Sequence, residues 1–293
     1  MSRDFKPLSK TMIYLILLVV CLICVVPIMT IVAISFSDQT ILTREGFSML
    51  IPRGFTFTAY EYCFNEWESI LRSYGVSILV TVMGCVFGLI LNSLLGYVLS
   101  RKDYVFKKQL TIYTTIPMLL SGGMVPAYIL MVRVLHLKDT LWAVLLPGLV
   151  VPWFVVLMRT FFSEISPALI EAATIDGAGE VKIFTKIILP LSKPSLATVG
   201  MFLTLNYWND WYHYYMYIDN QKLYNLQYRL YIMMINAKEM IKNSMLMGFS
   251  AADVPTETMR MAMCVLAAGP MLMVFPFFQK YFVKGLQVGG VKG

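Results

Sequence analysis

The chain has 293 residues, of which 58% are apolar and 14% charged, with a formal net charge of +7. Soluble domains of this length carry about 25% charged residues, and here the apolar residues run in long blocks rather than at helical or strand spacing. A water-soluble globular enzyme is therefore excluded, and the reading is an all-α membrane protein with six transmembrane helices.

In chain order, residues 1–11 form a short tail with Arg3, Lys6 and Lys10. The uncharged block Thr11–Ser37 follows, with the first span at 12–36. It is longer than the roughly 7–15 apolar residues of a signal peptide, and Ile34-Ser35-Phe36-Ser37 offers no small-x-small cleavage pattern, so it reads as a retained span. Residues 37–72 form an external segment containing Gly46, Pro52 and Gly54, then Thr58-Ala59-Tyr60-Glu61-Tyr62, a short interfacial helix. The core is expected at 70–278, with spans at 73–100, 110–132, 140–158, 194–218 and 259–279. Each is near the roughly 20 residues that cross about 30 Å of hydrocarbon. The 194–218 span is broken in its interior by a charge, Asp210. Between the last two spans lies a second external segment with helical pattern from Leu226 to Met247, and residues 279–293 form the C-terminal tail.

Lys and Arg in the loops set the orientation. An even number of spans puts the two tails on one side, together with Arg101, Lys102, Lys107, Lys108 and the 159–193 loop; this side holds 14 of the 24 basic residues. Both termini are placed in the cytoplasm, and the positive charge faces anionic lipid rather than nucleic acid. Pro27, Pro117, Pro126, Pro147, Pro152, Pro270 and Pro276 fall inside spans, and Gly122-Gly123 adds a weak point. Such breaks suit helices that move or line a cavity. Cys21-x-x-Cys24 lies within a span and reads as buried thiols, not a redox or metal pair.

The 159–193 loop carries the most specific pattern. Ser166 suits an N-cap, Pro167 the first helical position, and Gly177 the left-handed residue that ends a helix. A second short helix is expected from Glu180 to Leu189, stopped by Pro190. The small residues between them give a helix hairpin that can seat in a groove of another protein. The spacing E-A-A-x3-G-x9-I-x-L-P, carried by Glu171, Ala172, Ala173, Gly177, Ile187, Leu189 and Pro190, resembles the EAA loop of bacterial ABC-importer permeases. Thr58-Ala59-Tyr60, Val125-Pro126 and the tail from Tyr281 to Gly293 are similar to maltose-type (MalG-like) sugar permeases, within which the chain looks like those for larger or acidic oligosaccharides, alginate importers among them.

The resemblance implies a type I ABC-importer permease fold in the bacterial inner membrane, with the EAA loop as the cytoplasmic coupling helix. It implies a second permease (a heterodimer is expected), two cytoplasmic ATPase subunits, an extracytoplasmic solute-binding protein and an oligosaccharide substrate. No cofactor is expected on this chain: it has no Walker A pattern, so ATP and Mg would be used by the ATPase partner. One departure is that Trp208-Asn209-Asp210 is followed by Trp211-Tyr212-His213-Tyr214-Tyr215, where the sugar permeases often place Asp or Glu and then Phe after Trp-Asn.

The fifth span gathers Asn206, Tyr207, Trp208, Asn209, Asp210 and Trp211. Asp210 falls about 24 Å along a helix that starts near Pro194. Two readings stand: an aromatic belt at the interface, or a wall of the sugar pathway in which rings stack on pyranose faces and a carboxylate avoids lipid. His213, three residues from Asp210, could pair with it but reads first as a plain hydrogen-bonding group. A secondary transporter or channel without an ATPase would also use proline-broken spans, although no internal repeat is visible; neither H-E-x-x-H nor G-x-S-x-G is present to support an intramembrane enzyme.

Overall fold

The computed structural model describes residues 7–65, 67–246 and 256–289, with side chains placed at 11–65, 67–236, 239 and 257–280. Residues 1–6, with Lys6, residues 290–293, with Lys292, and the chain just beyond Leu246 lie outside these residues, and of Lys284 only the backbone is described. All regular structure among the described residues is helical: α1 Pro7–Ser35, α2 Gln39–Glu45, α3 Thr58–Phe64, α4 Trp67–Ser100, α5 Lys107–Leu119, α6 Met124–Val134, α7 Leu141–Leu149, α8 Pro152–Ser163, α9 Pro167–Ile175, α10 Glu180–Leu191, α11 Lys193–Trp208, α12 Tyr212–Tyr217, α13 Leu226–Leu246 and α14 Thr256–Gly289. Thr11–Ser35, Trp67–Ser100 and Glu257–Lys280 are each long and apolar enough to cross a membrane unaided. Three bent pairs satisfy the same condition jointly: α5 with α6, α7 with α8, and α10 with α11.

The chain divides into two units, Met1–Ile70 with Leu230–Pro270, and Leu71–Arg229 with Met271–Gly293. In the first unit, α2 starts at Asp38, whose Oδ1 accepts the N–H groups of Thr40 (2.8 Å) and Ile41 (3.2 Å). These bonds, led by the Thr40 hydroxyl, hold the Asp38 carboxyl below its ordinary pKa. Phe36 stacks on Phe55 with centroids 5.6 Å apart and lies 4.8 Å from Tyr60. That cluster seats the short helix α3, which buries Ala59 and Cys63.

In the second unit the expected spans are cut by their own glycines and prolines. Residues 110–132 do not form one kinked rod. After Leu120 the backbone is extended and Gly123 takes φ +83°, a conformation that costs glycine nothing, and α6 leaves at 116° to α5. Residues 140–158 break at Val150–Val151, both extended, as a residue before proline prefers, and the two halves meet at 43°.

The second break lies beside buried Leu149, where unpaired backbone groups are costly. Asn92 of α4, fully buried, closes it: its Nδ2 donates to Leu149 O at 2.8 Å and to Gly88 O at 2.6 Å, while its Oδ1 accepts from Val151 N at 3.1 Å. One side chain thus serves as the missing helical partner on both sides of the cut.

The fifth predicted span begins at a sharp bend. α10 and α11 meet at 82° across Ser192. α11 has 16 residues, about 24 Å, which is short of a full crossing, and α12 extends the run after an interruption at Asn209–Trp211. Both ends of α12 are pinned. Asn225 Nδ2 donates to Asp210 O at 2.5 Å on one side. On the other, Asp139 Oδ1 accepts from Asp219 N (2.6 Å) and Asn220 N (2.8 Å), with Lys138 paired to Asp219 at 2.5 Å. The start of α13 is fixed by Ser77, which accepts from Leu226 N at 2.8 Å, and by buried Arg229, which donates to Gln221 O at 2.9 Å and lies 5.3 Å from the Tyr224 ring centre.

Candidate functional site

Two places gather the residues singled out above: the α9–α10 hairpin and the broken region of the α11–α12 span.

α9 opens at Ser166 and Pro167 and closes in a Schellman turn. Ala178 N donates to Ala173 O at 2.9 Å, Gly177 N donates to Thr174 O at 3.0 Å, and Gly177 sits at φ +77°. The Ser166 side chain makes no capping bond, so the entry is set by its extended backbone and Pro167. None of the α9 residues is buried; Ile175 is 87% and Leu169 49% exposed. Glu171, Ala172 and Gly177 are exposed and Ala173 half-buried.

α10 behaves differently. It was expected to stop at Pro190, yet it runs through to Leu191. The reason is a turn of i→i+5 bonds over Phe184–Ile188, where Leu189 N donates to Phe184 O. This wider turn makes room for the proline ring one position on. It also changes which residues face inward: Ile183 and Ile188, five apart, are both buried, whereas Ile187 and Leu189 are half-buried and Pro190 exposed. The motif residues therefore divide, Glu171, Ala172, Ala173 and Gly177 on a free helix and Ile187, Leu189 and Pro190 on a docked one. Glu180, at the head of α10, accepts hydrogen bonds from Tyr97 Oη (2.5 Å) and Arg101 Nη2 (3.0 Å).

In the α11–α12 region a cleft of about 240 Å³ is lined by Val144, Gly148, Asn206, Tyr207, Asp210 and His213. Asn206, Tyr207 and Asp210 thus come together, and His213 joins them. His213 is more than a plain hydrogen-bonding group, because its Nδ1 lies 2.9 Å from Asp210 Oδ2 and its backbone N–H donates to Asp210 Oδ1 at 3.1 Å. The interruption in the helix allows this: Asp210 caps the first turn of α12 and holds the His213 ring at the same time.

Tyr207 is a packing residue as well as a cleft wall. Its ring lies where a Cβ on Gly84 or Gly148 would stand, and its hydroxyl donates to Leu145 O at 2.8 Å. Trp208 is buried, with its ring 6.5 Å from Tyr74. Asn209 Oδ1 accepts from Gln227 at 3.4 Å, and Trp211, 40% exposed, lies against Tyr212 and Tyr215. Those three do not line the cleft. Sequence reasoning missed Val144, Gly148 and Asn92. A lone asparagine in an otherwise apolar span was the available signal for the last.

The chain matches, over residues 11–288, the family described as "Binding-protein-dependent transport system inner membrane component". It is 38% identical over 263 residues to the polygalacturonan/rhamnogalacturonan transport system permease protein YtcP of Bacillus subtilis, covering 90% of this chain and 91% of that protein. It is 29% identical over 271 residues to the arabinooligosaccharides transport system permease protein AraQ of Halalkalibacterium halodurans, covering 90% of each. A chain of a bacterial ABC transporter involved in import of the acidic polysaccharide alginate superposes with a TM-score of 0.79 at 26% identity, covering 96% of this chain and 100% of that one. Fold and relatives together define a multi-pass transport subunit rather than an enzyme, with the type I importer fold. The chain belongs to the family of inner-membrane permease components of binding-protein-dependent ABC importers.

Proposed function

We propose that the chain is one member of a permease heterodimer that moves an oligosaccharide across the bacterial inner membrane by alternating access. Two cytoplasmic ATPases would drive it, using ATP and Mg, and an extracytoplasmic binding protein would deliver the sugar; this chain binds no cofactor itself. The observation that carries the reading is α9, a helix closed at both ends with all its residues accessible. Residues Glu171–Gly177 of that helix are the ATPase contact, and α10, with Ile187, Leu189 and Pro190, roots it in the permease. Both termini are cytoplasmic, on the same side as this hairpin. The substrates named for the relatives, polygalacturonan, arabinooligosaccharides and alginate, support a sugar polymer fragment as cargo.

The sugar route passes the cleft of Asn206, Tyr207, Asp210 and His213. These side chains offer an amide, a carboxylate and an imidazole to sugar hydroxyls, and the exposed rings of Trp211 and Tyr215 offer stacking faces nearby on the same run. The test is ATPase activity of the purified complex with its binding protein, stimulated by a panel of oligogalacturonides, arabinooligosaccharides, alginate oligosaccharides and maltodextrins. Stimulation by none of them would sink the sugar reading. Asp210→Asn keeps an oxygen to cap α12, so it should leave assembly and melting intact while lowering uptake of the stimulating sugar about tenfold or more, as for loss of a charged hydrogen-bond partner. Unchanged uptake would return the region to an aromatic belt.

A further inference from the structure

We infer that Glu180 is the positioning residue through which the α9–α10 hairpin moves the second span. The inference rests on the coupling reading above and adds the contact that transmits the motion. Glu180 stands first in α10, beyond the Gly177 turn, and its two carboxylate oxygens are held by separate donors at the end of α4, Tyr97 Oη at 2.5 Å and Arg101 Nη2 at 3.0 Å. Arg101 is itself fixed: its Nη2 also reaches Asp103 Oδ2 at 3.0 Å, and its carbonyl accepts from Lys107 Nζ at 2.9 Å.

The contact continues into the spans. The Tyr97 ring centre lies 5.0 Å from that of Phe184, which meets Phe162 of α8 at 6.4 Å. One residue earlier, Gly96 brings α4 so near α8 that an added Cβ would lie 2.6 Å from Met158 Cβ and 3.0 Å from Arg159 N. A displacement of α10 is thus delivered at Tyr97 and Arg101, and α4 passes it to α8 through backbone-close packing that cannot yield.

Two observations argue that the contact serves transmission rather than folding. The Glu180 side chain is 58% exposed, and ion pairs that wet add little to stability. A cleft of about 380 Å³ opens beside it, lined by Tyr97, Arg101, Asp103 and Glu180 among others, so at Glu180 itself the contact is the polar tether, and close packing begins further along α10 at Ile183 and Phe184.

The test uses the full complex with its ATPases in nanodiscs, ATP plus vanadate as the probe, and hydrogen exchange read in residues 167–191 and 95–106. In the unmodified complex both segments should change on trapping. In Glu180→Ala the hairpin should still respond, while the response at 95–106 falls at least about fivefold, the low end of ordinary coupling between sites; complex yield and melting temperature should hold. Glu180→Gln, which keeps an acceptor for Tyr97, should be intermediate. Adding Tyr97→Phe to Glu180→Ala should cost nothing further, because the two act through one contact. If Glu180→Ala fails to assemble, Tyr97→Phe alone, which removes one hydroxyl, carries the same comparison. A full response at 95–106 with the tether cut overturns the role of Glu180 and leaves the coupling reading standing. An unmodified complex whose 167–191 segment ignores ATP and vanadate overturns both.

Discussion

Asn92 holds together a helix that proline has cut, and its loss should be felt as unpaired backbone rather than lost volume. Asn92→Leu leaves Leu149 O and Val151 N without a partner in the interior, a cost of about 1–3 kcal/mol; the melting temperature of the purified complex should fall, and an unchanged one would mean that water replaces the amide. Cys63 makes the opposite case, a reactive group made inert. It is fully buried, and burial pushes its thiol up to about 11. Its pKa is raised, so the thiolate is favoured only above that value and forms about one part in a thousand at pH 8. A membrane-impermeant maleimide at pH 8 should therefore leave Cys63 unlabelled until the protein is denatured, and prompt labelling in the folded protein would contradict its burial. At this scale sequence reading found Asp210 from its charge in an apolar span but ranked its pairing with His213 second, because the break that turns Asp210 into a cap is bonded by Asn225, 15 residues away.

Among the elements, the free helix α9 was legible almost to the residue, since its start and stop are local chemistry: a proline at one end and a left-handed glycine at the other. Nothing lies within 4 Å of a Cβ added at Gly177, so a substitution there acts through the backbone alone. Gly177→Val should cost the Schellman turn roughly 1–2 kcal/mol, leave membrane insertion untouched, and release the ATPases or uncouple hydrolysis from uptake. Ala173→Trp should do the same by overfilling the seat. Normal coupled uptake in both variants would remove α9 from the mechanism. The docked helix was less legible. The motif spacing singles out Ile187, whereas the inward face follows the i→i+5 turn and buries Ile188. The 116° break at Gly123 was also hidden, because Gly122-Gly123 announces weakness but not direction.

For the whole molecule, composition alone separated this chain from soluble proteins, and its apolar blocks correspond to three long helices and three bent pairs of sufficient length and apolarity to cross a membrane. Sidedness rests on a modest excess of Lys and Arg, so it is the natural target for a direct measurement. Reporter fusions after Lys108 and after Met240 should report opposite faces of the membrane, the first cytoplasmic and the second external; the same face for both would overturn the arrangement. Work with partner subunits was expected from the likeness of the 159–193 loop to the EAA loop, and membership of the family implies such partners in general.

The wedge formed by Tyr207 between Gly84 and Gly148 has an evolutionary consequence. Three positions from three helices share one volume, so they are inherited as a set. Wherever a relative carries a smaller residue at the position of Tyr207, the two glycines are free to become alanine or serine, and where the tyrosine stays they remain glycine. Substitution rates at these three sites should rise and fall together across an alignment, while Gly46, which faces open space, drifts independently of them.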